Sequence, residues 1–251
     1  MAIVANGDIL VLGGTGELGS EIVKALRAHD KNVTVLARST SNRERLQGQH
    51  VSYVIGDMLV EADMERVFTA TQYQSVVDAS SGPYRGMNEA DNELLEAQAF
   101  YGDSQKIVSK WAAATGVRQF IFHSTVGAGA SADLVYVENV FEVQKLALAS
   151  KTLAEQFLAK SGVPYTIIRH LTVLPLDLRE SGKARLSRNL TEVGAVTRDG
   201  LARLTLECLD NNESLNVIFH AVDDAVELPA ETIEIWKQAL KPAFFPGYVD
   251  R

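Results

Sequence analysis

The chain has 251 residues, a length that admits one large α/β domain or two small ones. Hydrophobic residues make up 46% of it and charged residues 22%, so it can bury a sizeable core, and fibrous or low-complexity architectures are excluded. The formal net charge is −8, from 24 Lys and Arg against 32 Asp and Glu, and this negative field argues against nucleic acids and anionic membranes as partners.

A single cysteine, Cys208, rules out an internal disulfide and suits a reducing compartment. It has no Cys or His neighbour at metal-ligand spacing, so we predict no metal site. Residues 1–8 contain neither a basic region nor a long apolar stretch, and no run approaches the ~18 apolar residues that span a bilayer. We therefore expect a cytoplasmic protein without a targeting or membrane segment.

Short apolar runs predict six strands, and several are continuous rather than alternating, which is typical of a parallel sheet covered on both faces. The runs are 9–12, 33–36, 51–55, 76–77, 120–122 and 165–168. Apolar stripes at helical spacing lie between them, at 18–26, 62–69, 93–115 and 137–160. The repeated βαβ order predicts a doubly wound α/β fold with a parallel sheet, a Rossmann fold.

The pattern weakens after Arg169, although 201–209 and 231–240 read as helices and 215–219 as a strand. No linker separates a second domain. We predict a single domain over 1–251, in which 171–251 form most of a small C-terminal substrate-capping region. The loop 126–133, rich in small residues, leaves the fifth strand where open α/β sheets bind their ligands.

A glycine-rich turn directly follows the first strand. Gly13, Gly16 and Gly19 have the spacing G-x-x-G-x-x-G and open a predicted helix. Such a turn lets the backbone approach a pyrophosphate, whose charge the helix N–H groups can hold. We therefore predict a dinucleotide site, with a generic strand-to-helix turn as the alternative. The residues between the glycines that we assign to this site are Thr15, Glu17 and Leu18.

The end of the second strand bears on the choice of cofactor. Dinucleotide folds usually place Asp or Glu there, about 20 residues beyond the glycines. This chain has Ala37, Arg38 and Ser39 instead, with no acid to repel a 2′-phosphate and a guanidinium able to pair with it. We predict NADP(H) rather than NAD(H), the alternative being that Arg38 is only a solvated strand-end residue.

Further motifs occur in a fixed order: Gly56-Asp57-Met58 after the third strand, 116–124 around the fifth, and Lys151 followed by 161–169 at the sixth. Together with the glycine turn they cover about residues 8–220 and resemble the atypical short-chain dehydrogenase/reductase family. The NmrA-like and biliverdin-reductase-B-like branches fit best. The resemblance implies the Rossmann fold and an NAD(P)(H) cofactor.

The resemblance also implies roles for individual residues around the cofactor. Asp57 would accept from the adenine amino group, with Met58 beside the ring; that Asp57 caps the next helix is a compatible alternative. Ser80 and Ser81 would flank the central part of the cofactor, or else form an ordinary polar turn.

The same resemblance implies that Lys151 contacts the nicotinamide ribose and that Ser124 lies near the nicotinamide or a substrate carbonyl. The short-chain motif Tyr-x-x-x-Lys would need a tyrosine at position 147, where this chain has Ala147, so the usual proton donor is absent. The alternative for Lys151 is a surface ion pair with Glu155, four residues later on one helix.

We therefore predict an NADPH-dependent oxidoreductase that transfers hydride to a small or medium carbonyl or aromatic substrate. Lys151 and Ser124 are the predicted catalytic residues, with Tyr136 as a reserve donor, while His123 and His170 are interpreted as structural. Two alternatives stay open: a non-catalytic NADP(H)-sensing regulator, and a redox-neutral isomerase or cyclase that uses the cofactor. Substrate identity and oligomeric state have no signature in the sequence.

Overall fold

The computed structural model describes residues 8–81, 91–136, 139, 142–173, 178–179, 181–226 and 230–240. Its helices are α1 Glu17–Ala28, α2 Glu61–Ala70, α3 Asp91–Ala114, α4 Glu142–Lys160, α5 Arg198–Cys208 and α6 Ala230–Ala239. Its strands are β1 Asp8–Leu12, β2 Val33–Ala37, β3 Ser52–Ile55, β4 Tyr73–Asp78, β5 Gln119–Thr125, β6 Tyr165–His170, β7 Thr172–Val173, β8 Arg185–Ser187, β9 Ala195–Val196 and β10 Val217–Val222.

Eight strands form one sheet in the order β3-β2-β1-β4-β5-β6-β10-β8. All neighbours are parallel except β10 and β8, which run antiparallel. The strand order reverses between β1 and β4, and open α/β sheets bind ligands at the carboxyl edge of such a reversal. The predicted doubly wound Rossmann fold is confirmed, and all six predicted strands are present.

Helices cover both faces of the sheet and enclose two apolar cores. In β1, Ile9 and Val11 face the core under α1 and α5, while Leu10 and Leu12 face the core under α2, α3 and α4. This alternation explains the continuous apolar runs, because each strand buries both of its faces. Each fully buried Leu or Ile contributes on the order of 1.5–3 kcal/mol.

Two helices end where the sequence places a glycine. Gly116 follows α3 with φ +75° and Gly162 follows α4 with φ +86°, left-handed conformations that a Cβ would disfavour.

None of the helices in the described ranges combines the length and the apolar composition that a membrane span requires.

The described residues after position 170 contribute both to the main sheet and to a separate small cluster. Strands β8 and β10 extend the main sheet, and α5 packs against α1. A separate small apolar cluster joins the loop after β5 to the C-terminal part of the chain; its buried members are Val126, Leu134, Val135, Ala195 and Leu240. That 171–251 form most of a substrate-capping region stays a prediction.

The loop after β5 is tied to α6 by main-chain contacts. Val135 and Leu240 form an antiparallel β-bridge, and the Tyr136 N–H donates to the Ala239 carbonyl at 2.8 Å. This connection places α6 beside the short 3-10 helix at Gly129–Leu134. The loop and the C-terminal helix thus form one layer at the end of β5.

Candidate functional site

The turn after β1 can accommodate only glycine at its critical positions. Gly13 has φ +71°, and a Cβ there would lie 2.5 Å from the Ser80 Cα. A Cβ on Gly19 would overlap the Gly13 carbonyl, to which the Gly16 N–H donates at 2.9 Å. The β1 turn and the end of β4 therefore approach each other backbone to backbone, and this packing requires glycine at positions 13 and 19.

Helix α1 begins inside this turn without a side-chain cap. Gly16 occupies the N-cap position and has no side chain that could accept from the first helical N–H groups. The unsatisfied N–H groups and the positive end of the helix dipole are suited to an anion. The site therefore fits the diphosphate of a dinucleotide on geometry as well as on sequence.

Glu17, the first residue of α1, is paired with two arginines. Its Oε2 lies 2.6 Å from Arg198 Nη2, and its Oε1 lies 3.6 Å from Arg45 Nη2. The nearby Thr15 and Leu18 are half-buried. Arg198 had no motif to mark it in the sequence, because it reaches Glu17 from the start of α5, far along the chain.

The end of β2 is polar and open to solvent. Arg38 and Ser39 are exposed, and the Arg38 N–H donates to Ser41 Oγ at 3.0 Å, which closes a tight turn. The Arg38 guanidinium has no hydrogen bond or ion pair with the described residues. The guanidinium of Arg43 lies over the Tyr53 ring, 4.4 Å from its centroid. Two cationic groups thus lie next to the strand end predicted to bind a 2′-phosphate.

The Asp57 side chain stabilises its own turn after β3. Its Oδ1 accepts from the Leu59 N–H at 2.9 Å, and its N–H donates to Asp63 Oδ2 at 2.9 Å. Helix α2 begins later, after Val60, and has no side-chain cap. The alternative that Asp57 caps this helix is therefore wrong, while Met58 is buried in the core beside it.

A buried acid, which the sequence analysis missed, ends β4. Asp78 is 1% exposed, and its Oδ1 accepts from the Ser80 N–H at 2.9 Å. Ser80 is half-buried and Ser81 is exposed, so the predicted pair lies at the rim of the site. Burial raises the pKa of Asp78, an effect that the charge of Lys151 and the bonds to Ser80 oppose. The remainder of this loop, with Gly82 and Tyr84, lies outside the described residues.

Lys151 points inward from α4 and is 7% exposed. Its Nζ donates to the His123 carbonyl at 2.8 Å and lies 4.0 Å and 4.5 Å from the ring centroids of Tyr101 and Phe122. The other two protons of Nζ have no acceptor among the described residues. The alternative of a surface ion pair with Glu155 is therefore wrong, since both side chains are buried.

Burial also changes the acidity of this lysine. It lowers the pKa of Lys151 from 10.5 to about 8, because removal from water penalises the ammonium, and the negative charges of Asp78 and Glu155 limit the decrease. An amine with a pKa near 8 is largely protonated at neutral pH yet can release its proton. Lys151 and Asp78 are both buried, and the charge of each opposes the pKa shift that burial causes in the other.

Ser124 belongs to a neighbouring buried network. Its hydroxyl donates to Glu155 Oε1 at 2.6 Å, and Glu155 also accepts from Arg169 Nε at 2.9 Å and Nη2 at 2.6 Å. Ser124 and Arg169 are register partners on β5 and β6, which brings them to one carboxylate. Gly129 (φ +52°) covers the pair so closely that a Cβ would lie 2.5 Å from Glu155 Oε2.

Two histidines border the lysine. His123 Nε2 bonds Thr205 Oγ1 at 3.0 Å, and its ring centroid lies 6.0 Å from that of His170. Burial, with the neighbouring positive charges, holds the pKa of His123 well below its usual range and lowers that of His170 to about 3. Both rings are therefore neutral near pH 7. Tyr136, the reserve donor, is half-buried on the loop that is bridged to α6.

Comparison with known proteins identifies the family. A family model described as NAD(P)H-binding matches residues 13–212. The chain belongs to this family, which confirms the predicted resemblance to atypical short-chain dehydrogenases/reductases.

The individual proteins that the chain resembles share less than a third of their aligned residues with it. The chain is 28% identical over 189 residues to a UDP-glucose 4-epimerase of Erwinia amylovora, a match that covers 70% of this chain and 56% of that protein. The chain therefore spans little more than half the length of this curated relative. The structure resembles that of ChuY, an anaerobillin reductase of Escherichia coli O157:H7, with TM-score 0.71, 20% identity, and coverage of 88% and 100% of the two chains.

A second solved structure of similar shape was determined in complex with NADP. It is a short-chain dehydrogenase/reductase of Veillonella parvula with TM-score 0.67 and 16% identity, covering 89% of this chain and 99% of that one. These two structural likenesses establish a shared fold.

Proposed function

We propose that this NAD(P)H-binding protein is an NADPH-dependent oxidoreductase that reduces a small or medium carbonyl or aromatic substrate, with Lys151 as its proton donor. When bound, the cofactor supplies hydride. The chain would hold its diphosphate in the turn Gly13–Gly19, its adenine beside Asp57 and Met58, and its 2′-phosphate at Arg38. The nicotinamide would then lie beyond Ser80, where β4 and β5 end.

The observation that carries the proposal is the environment of Lys151. Its ammonium is buried between Tyr101 and Phe122 beside Asp78, and its pKa is lowered to about 8. A donor with a pKa near the working pH is effective in general acid catalysis. Lys151 therefore supplies the proton that Ala147, in place of a tyrosine, cannot supply.

The remaining predicted residues have supporting roles in this proposal. The Ser124 hydroxyl proton is held by Glu155, so Ser124 meets a substrate through its oxygen lone pairs. Tyr136 lies on the loop joined to α6, which would exclude water from the reacting centre. The protein thus contributes orientation, a proton and a dry environment.

The test is NADPH oxidation with a panel of quinones, flavins and enones. We expect turnover by the wild type and a reduction of kcat by about 10²-fold or more in Lys151→Met, the usual scale for loss of a general acid. Because the donor must be protonated, kcat of the wild type should fall as pH rises through about 8. Lys160→Met, at the exposed end of the same helix, is the matched control and should retain wild-type kcat.

Two results would contradict the proposal. NADPH binding without turnover of any acceptor, unchanged in Lys151→Met, would favour the alternative of a non-catalytic NADP(H)-sensing regulator.

The likeness to UDP-glucose 4-epimerase favours a second candidate, redox-neutral isomerisation with a bound cofactor. Conversion of a nucleotide sugar without net NADPH consumption would establish that candidate instead.

A further inference from the structure

An ion pair joins the first residues of two helices at the mouth of the cofactor site. Arg198 begins α5 and Glu17 begins α1, with Nη2 and Oε2 2.6 Å apart. The two side chains are 17% and 35% exposed, so the pair is accessible from the cleft without being fully solvated. Helices α1 and α5 pack side by side, which keeps the two residues within reach.

The sequence assigns Glu17 to the cofactor site, but its carboxylate has an unfavourable charge for a bound diphosphate. In the free protein, an acid in the first turn of α1 is stabilised by the helix dipole and by its arginine partners. A diphosphate held by the same helix start would bring negative charge next to this carboxylate. Like charges close to each other repel, so positive charge supplied at this position would favour cofactor binding.

Arg198 is positioned to supply that charge. Thr197 caps α5, accepting from the Gly200 N–H at 3.2 Å, and so fixes the helix start from which the guanidinium projects. The positive charge of Arg198 contributes to the lowered pKa of His170 at the end of β6. The guanidinium therefore lies at the start of α1, 2.6 Å from Glu17.

Resting on the proposed function, we propose that Arg198 binds the cofactor diphosphate by exchanging partners. In the free protein its guanidinium pairs with Glu17; in the complex it pairs with the phosphate oxygens, while Arg45, 3.6 Å away, holds Glu17. The planar guanidinium suits two oxygens of a phosphate as well as those of a carboxylate. The exchange links cofactor binding to α5, which follows directly from strand β9.

Fluorescence titration with NADPH tests the exchange. We expect Arg198→Gln to weaken binding by about 10- to 100-fold, the scale of a charge-assisted bond to phosphate, and Arg198→Lys to weaken it less. Glu17→Gln removes the competing carboxylate and should tighten binding by a few-fold. Arg203→Gln, on the same helix and paired with Glu207, is the control and should keep wild-type affinity. Thermal melts confirm that each variant is folded.

The double variant Glu17→Gln/Arg198→Gln separates binding from mere neutralisation of Glu17. If Arg198 contacts the diphosphate, the double variant stays weak; recovery of wild-type affinity would overturn the inference. Adenosine 2′-monophosphate, which lacks a diphosphate, should bind the wild type and Arg198→Gln equally, whereas ADP-ribose should discriminate them.

The outcomes also separate this inference from the proposed function. Wild-type binding of NADPH with no loss in Arg198→Gln would reject Arg198 as a ligand and leave the reductase proposal intact. Absence of NADPH and NADH binding in the wild type would reject both.

Discussion

The two ends of the candidate site differ in the groups that form them. At the β1–β3 end, the candidate site consists of a backbone turn, an uncapped helix and exposed side chains such as Arg38, the proposed ligand of a 2′-phosphate. At the β4–β6 end, the candidate site consists of buried polar groups, with Lys151 near Asp78 and Glu155 paired with Arg169. The first kind of site depends on backbone shape, whereas the second depends on charge compensation between distant parts of the chain.

The largest effect should come from breaking charge compensation at the β4–β6 end. Glu155→Gln leaves Arg169 buried without a counter-charge and should lower the free energy of unfolding by about 3–5 kcal/mol. Urea denaturation at pH 7 measures this. Glu192→Gln, which breaks an exposed pair with Arg185, is the matched control and should cost about 0–1 kcal/mol. Equal costs for the two variants would show that burial of the pair is unimportant.

A smaller effect is expected from a substitution that distorts the glycine turn at the β1–β3 end. Gly13→Ala forces a Cβ to 2.5 Å from the Ser80 Cα at φ +71° and should cost about 2–3 kcal/mol while abolishing measurable NADPH binding. Gly48→Ala is the control, because Gly48 has φ +80° but nothing within 4 Å of the added Cβ. It should cost about 1 kcal/mol and leave binding unchanged. Normal cofactor binding by Gly13→Ala would contradict the cradle.

Charge reversal at Arg38 sharpens the comparison between the two ends of the site, because it should change the choice between NADPH and NADH without affecting the fold. The wild type should bind NADPH more tightly than NADH, and Arg38→Asp should reduce that preference by about tenfold or more, since a carboxylate repels the 2′-phosphate. Parallel titrations with both cofactors measure the ratio. Arg118→Asp, at the amino end of β5, makes the same charge change away from the site. An unchanged ratio in Arg38→Asp would remove Arg38 from the site.

The smallest expected effect is a pH dependence of stability. The pKa of Lys151 is about 8 in the folded protein, against the ordinary lysine value of 10.5 in the unfolded chain, so between these values the unfolded chain binds more protons. Wild-type stability should therefore gain about 1 kcal/mol relative to Lys151→Met from pH 8 to pH 9. Urea denaturation at both pH values measures the difference. A constant difference would show that Lys151 titrates as it does in water.

The sequence could predict what is local. The glycine spacing and the strand-end Arg38 belong to one βαβ unit, and Gly116 and Gly162 mark helix ends through their own backbone preferences. Arg169 and Glu155 meet only because β5 and β6 pair in a given register and α4 packs over them. The helical pattern predicts Lys151 on α4, but only the packing of α3 shows that its side chain points inward. Asp78 directly follows the predicted strand at 76–77, and this position at a strand end could have identified it from the sequence as a candidate site residue.

The bridge between Val135 and Leu240 has a consequence for how this protein can diversify. Because α6 is bonded to the loop after β5 and not to the glycine turn after β1, substitutions in α6 can shift that loop while the turn keeps its shape. If the proposed function holds, acceptor range and coenzyme recognition can accordingly evolve as separate traits.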